Sequence, residues 1–102
     1  MNRADYVNTI KAAMNASKRE HDDAPWEAEI LALGFKEYPD TGTVNLNVDH
    51  VLSLPDGLML RLNHRWFDTS GPFSPGPDRT RLTLEVSVNG LIIDQYTVSW
   101  DD

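Results

Sequence analysis

Cysteine is absent from the chain, which excludes disulfides, thiol nucleophiles and thiolate-held metals. No apolar run approaches the roughly 18 residues of a membrane span. Residues 1–11 are polar and interrupted by Asp5, so they lack the basic stretch and apolar core of a secretory leader. These absences fit a reducing compartment, and the expected location is the cytoplasm. Basic side chains are scarce: nine Lys and Arg stand against sixteen Asp and Glu, a formal net charge of -7. That balance repels polyanions and argues against general DNA or RNA binding, and it favours a protein partner with a basic surface. A phosphate-binding glycine loop, a nucleophile elbow and the HxH and HExxH spacings are missing as well, so no cofactor and no metal is expected.

What is present is the pattern of one domain. A chain of 102 residues removes roughly 60 to 70% of its unfolded surface from water and folds without metal or disulfide support. From Asn2 to about Arg19, the residues Tyr6, Val7, Ile10, Ala13 and Met14 recur at three- and four-residue spacing. This predicts an amphipathic helix capped by Asn2, with Asp5 in its first turn and Lys18 and Arg19 near its negative end. The stretch from Trp26 to Tyr38 carries mixed signals. Pro25 followed by Trp26, Ile30, Leu31 and Leu33 suits a helix, whereas Gly34-Phe35-Lys36-Glu37-Tyr38 suits a strand entering a hairpin. The reading adopted is extended from about Glu29 to Tyr38.

The runs flanking Leu54-Pro55-Asp56-Gly57-Leu58 predict a hairpin, with the glycine in a left-handed bulge. Counting outward pairs Leu52 with Leu60, His50 with Leu62, Val48 with His64, Leu46 with Trp66, and brings Val44 near Asp68, so that one face is almost wholly apolar. The other face carries Asn45, Asn47, Asp49, Arg61, Asn63 and Arg65. A second hairpin spans about Arg79 to Trp100 with Asn89-Gly90 at its tip. A two-residue turn there sets Val86 against Ile93 and Glu85 against Asp94, whereas a three-residue turn with a glycine bulge aligns Leu82 with Tyr96 and Val86 with Ile92; the second gathers more apolar surface, at the cost of setting Leu84 opposite Asp94, and is narrowly preferred. Between the hairpins Pro72, Pro75 and Pro77 stiffen a connection around Phe73. The expected fold is α+β: an N-terminal amphipathic helix packed on a four- to five-stranded antiparallel sheet of consecutive hairpins, in a single domain over residues 1–102.

Function is carried by surfaces rather than by a motif. Glu20, Asp22, Asp23, Glu27 and Glu29 fall within ten residues, and with Phe73, a loop aromatic held by flanking prolines, they form the expected partner-binding set; the competing reading of Phe73 is a lid folded back on the sheet. The leading expectation is a non-enzymatic binding module of the inhibitor, immunity or adaptor type, of bacterial or phage origin. The alternative is a small-ligand or enzyme domain whose cavity between helix and sheet uses His50 and His64 for proton transfer, with Trp66 on its wall. A third reading is a homodimer formed by edge pairing of residues 79–88 or 91–100.

Overall fold

The computed structural model describes residues 2–39, 47–68, 70–73 and 76–101. Helix α1 runs from Arg3 to Glu20. Asn2 opens it with a reciprocal capping box, its side chain accepting from the Asp5 N–H and its own N–H donating to the Asp5 carboxylate. His21 closes it in the left-handed conformation, at φ 52°. Ile10, Met14 and Ser17 form its fully covered stripe.

Helix α2 spans Ala24–Leu33 and replaces the extended segment expected from Glu29. Three local forces select the helix. Pro25 occupies the first turn, where its missing N–H costs nothing; Trp26 and Ile30, one turn apart, are both buried; and Gly34 terminates the helix at φ 86° with its N–H on the Ile30 and Leu31 carbonyls. Leu31 is 81% exposed, and this outward leucine is what blurs the helical pattern in the sequence. Only the end of the expected strand survives, as β1 at Lys36–Pro39.

Strands β2 (Asn47–Ser53), β3 (Leu58–Asp68), β4 (Asp78–Val88) and β5 (Leu91–Asp101) complete one antiparallel sheet in the order β1-β2-β3-β4-β5. The β2–β3 register is the expected one, pairing Leu52 with Leu60, His50 with Leu62 and Val48 with His64. The pairings expected for Leu46 and Val44 lie outside the described residues. Gly57 adopts φ 87°, and a side chain there would collide with the Asn89 side chain at the neighbouring turn.

The β4–β5 register follows the two-residue alternative next to the turn, rather than the preferred three-residue one, and departs from both beyond Ser87. Asn89 and Gly90, both at positive φ, form a two-residue turn that pairs Val88 with Leu91 and Ser87 with Ile92. A bulge between Val86 and Ser87 then shifts the ladder, so Val86 meets Asp94, Leu84 meets Tyr96 and Leu82 meets Val98. The extra residue of β5 turns Tyr96, Val98 and Trp100 to the covered side and leaves Leu91, Ile92 and Ile93 exposed. It also turns Asp94 toward α1, where Lys11 meets it at 2.9 Å. Strand β4 is interior, so the edge pairing imagined for residues 79–88 is excluded; the edges are β1 and β5.

Both helices cover the same side of the sheet. The core joins Ile10 and Met14 of α1 and Trp26 and Ile30 of α2 to Leu58, Leu60, Leu62, Leu82, Leu84, Val86, Val98 and Trp100. Among the described residues, no helix is long and apolar enough to cross a membrane.

Candidate functional site

Between α2 and strands β1 to β3 lies a groove of about 440 Å³. Its wall is Trp26, Ile30, Leu31, Phe35 and Val48, its polar members are His50 and His64, and Glu27 and Glu37 stand at its margin. The local sequence explains each placement. His50 and His64 are even-numbered residues of strands whose even side faces the helices, so the alternation that buries Leu60 and Leu62 also carries the two imidazoles inward. Glu37 is the direct cross-strand partner of His50.

Trp26 organises the site. Its backbone N–H donates to the buried Ser17 Oγ at 3.0 Å, which ties α2 to α1. Its indole Nε1–H donates to Asp23 Oδ1 at 2.9 Å. The ring then rests against both histidines, with centroids 5.3 Å from His50 in an edge-on arrangement and 4.8 Å from His64 in a tilted one. His64 is 7% exposed, and its Nε2 lies 3.7 Å from the same Asp23 oxygen.

The electrostatics of floor and rim are opposed. Burial holds the His50 imidazole below its ordinary value near 6.5, against the weaker upward pull of Glu37 and Asp49, so the ring is neutral at pH 7. Burial, then the charges of Asp23 and Asp22, push the Glu27 carboxyl up. The groove thus sets a neutral His50 imidazole below a rim on which negative charges repel one another. Among the described residues, no group of three or more His, Asp and Glu is arranged to hold a metal ion.

The residues expected to bind a partner divide. Glu20 ends α1 and is exposed; Asp22 is exposed, with Oδ1 accepting the Ala24 N–H at 3.0 Å; Glu27 is exposed at the groove margin. Asp23 is half-buried and engaged by Trp26, so it is a positioning group as much as a surface charge. Glu29 is half-buried on α2 and does not line the groove. Phe73 is 99% exposed and does not fold back on the sheet as a lid. It shares the end of the molecule with the α1–α2 turn, since Asp68 pairs with Asp78, Arg79 pairs with Asp101, and His21 Nδ1 lies 2.8 Å from the Asp101 carbonyl oxygen.

The wall role expected of Trp66 belongs to Trp26. Trp26 and Glu37 are the members that sequence reasoning missed. Reading α2 as a helix would have found the first, and counting the β1–β2 register the second. Compared with known proteins, the chain matches no family model, no curated protein and no solved structure. The fold and site therefore define it from within: a two-helix, five-stranded antiparallel α+β domain with an acidic-rimmed aromatic groove.

Proposed function

We propose that this chain is a non-enzymatic protein-binding module of the inhibitor, immunity or adaptor type, acting in the cytoplasm of a bacterium or of a phage-infected cell. It docks its acidic α1–α2 end on a basic partner surface. The observation that supports this reading is the groove itself. A Lys or Arg side chain entering it meets the neutral His50 imidazole and the Glu27 and Glu37 carboxylates, and relieves the crowding of negative charge around Glu27. Exposed Phe73, at the same end, adds an apolar anchor.

The test is affinity capture from a source lysate at low and high salt, comparing the wild-type chain with Glu20→Lys/Asp22→Lys/Glu27→Lys. Asp23 is left intact because Trp26 depends on it. The reading expects a stoichiometric protein partner with a basic surface, retained at low salt, released at high salt and lost by the variant. Equal capture by the variant at low salt contradicts it.

One observation favours a second reading, a small-ligand or enzyme domain. The groove volume falls within the roughly 300 to 1,000 Å³ typical of small-molecule sites, and two imidazoles stand in it. That reading expects ligand binding or turnover to be lost in His50→Gln and in His64→Gln while the fold is kept.

A further inference from the structure

Five of the nine basic residues, Lys36, Arg61, Arg65, Arg79 and Arg81, stand on the open face of the sheet. The acidic residues described there are Asp49, Glu85 and Asp101, so a locally basic surface exists on a chain of net charge -7. Within it the charges are unevenly satisfied. Arg61 meets Glu85 at 3.2 Å and Arg79 meets Asp101 at 2.8 Å. Arg65 and Arg81 are direct cross-strand partners, both exposed, and among the described residues neither is in an ion pair. Instead their guanidinium carbons lie 5.6 and 5.3 Å from the centroid of the Phe67 ring. Like charges set directly opposite one another destabilise a sheet, and a position that breaks such a local rule is a candidate working position.

We infer that the Arg65–Phe67–Arg81 cluster is a second docking site, one that takes an acidic segment of another protein, with side-chain carboxylates on the two guanidiniums. The choice of occupant follows from the same residues. A stretch of single-stranded nucleic acid needs an aromatic face open for stacking, and both guanidiniums already occupy the Phe67 ring. A small anion needs a concave site, and these three side chains line neither the groove beside α2, nor the cleft between Arg3 and Asp56, nor the one between α1 and Ile93. A second copy of the chain brings seven further negative charges and is repelled as a whole. A short acidic segment feels chiefly the local field, because at physiological salt the screening length is about 8 Å. This site is independent of the groove and lies on the opposite side of the sheet.

The experiment is fluorescence anisotropy at physiological salt with a labelled octaglutamate peptide and, in parallel, a labelled octathymidylate. Wild-type protein is expected to bind the peptide in preference to the oligonucleotide. Arg65→Gln/Arg81→Gln is expected to lose about tenfold or more in affinity, and Arg61→Gln, whose charge is already met, less than about threefold. Because the double substitution relieves repulsion, its melting temperature is expected to equal or exceed that of the wild type, so lost binding will not reflect lost fold. Unchanged peptide binding in the double variant, or tighter binding of the oligonucleotide, overturns the inference. So does light scattering that shows self-association abolished by the same substitutions.

Discussion

Where α1 and α2 cover the sheet, alternate residues from Leu58 to Leu62 and from Leu82 to Val86 are buried against helix side chains. On the uncovered side, the residues between them bond across strands: Asn63 donates to Asp49 and Asn47, Arg61 to Glu85, and the Thr83 and Thr97 hydroxyls meet at 3.2 Å. One period-2 pattern serves both faces, and its two phases carry different work. The covered phase supplies stability, and two of its lapses from apolar character, His50 and His64, coincide with the groove. The open phase contributes little to stability, and its lapse from charge balance, Arg65 opposite Arg81, marks the second site.

This contrast can be broken on either side, and the expected effects descend steeply. Trp26→Ala removes a buried ring that touches both histidines and should cost about 3 to 5 kcal/mol, read from denaturant unfolding; a loss below about 1 kcal/mol would deny Trp26 its organising role. Leu84→Ala, in the middle of β4, should cost about 2 to 5 kcal/mol, whereas its open-face neighbour Thr83→Ala should cost about 1 kcal/mol or less. Equal effects at the two positions would erase the distinction between faces.

The pH dependence gives a finer test. Because folding lowers the pKa of His50, the unfolded chain binds the proton more readily. The contribution of the neutral ring is fully present above the ordinary value near 6.5 and is lost as pH falls below it toward the folded-state value. Denaturation followed from pH 8 to pH 5 should therefore show a decline that is shallower in His50→Gln; superimposable curves would contradict the burial of this ring. Smallest is the Arg61–Glu85 pair, partly exposed on the open face, where a double-mutant cycle should return about 0 to 1 kcal/mol.

How much of this was legible in the residues depends on whether local pattern or tertiary context decided the outcome. The β2–β3 hairpin was legible because Pro55-Asp56-Gly57 fixes the turn and alternation fixes the phase, and this alone put His50 and His64 together on the covered side. Helix α2 was not, since exposed Leu31 adds an apolar residue off the buried stripe of Trp26 and Ile30 and lets a strand reading compete. The β5 bulge was hidden for a different reason: both registers weighed for the hairpin were uniform, and an inserted residue changes phase without a sequence signature of its own. The groove was half legible. Its histidines follow from counting along strands, while Trp26 and Glu37 enter only once α2 and β1 are in place.

The most direct test of the account is a nuclear magnetic resonance titration of the labelled protein with a short arginine-rich peptide at low salt. The account predicts progressive shifts at the Trp26 indole N–H, at His50 and around Glu27, with the amides near Arg65 and Arg81 unmoved. Shifts confined to the open face, or none near Trp26 at saturating peptide, would contradict the groove as the docking site for a basic partner.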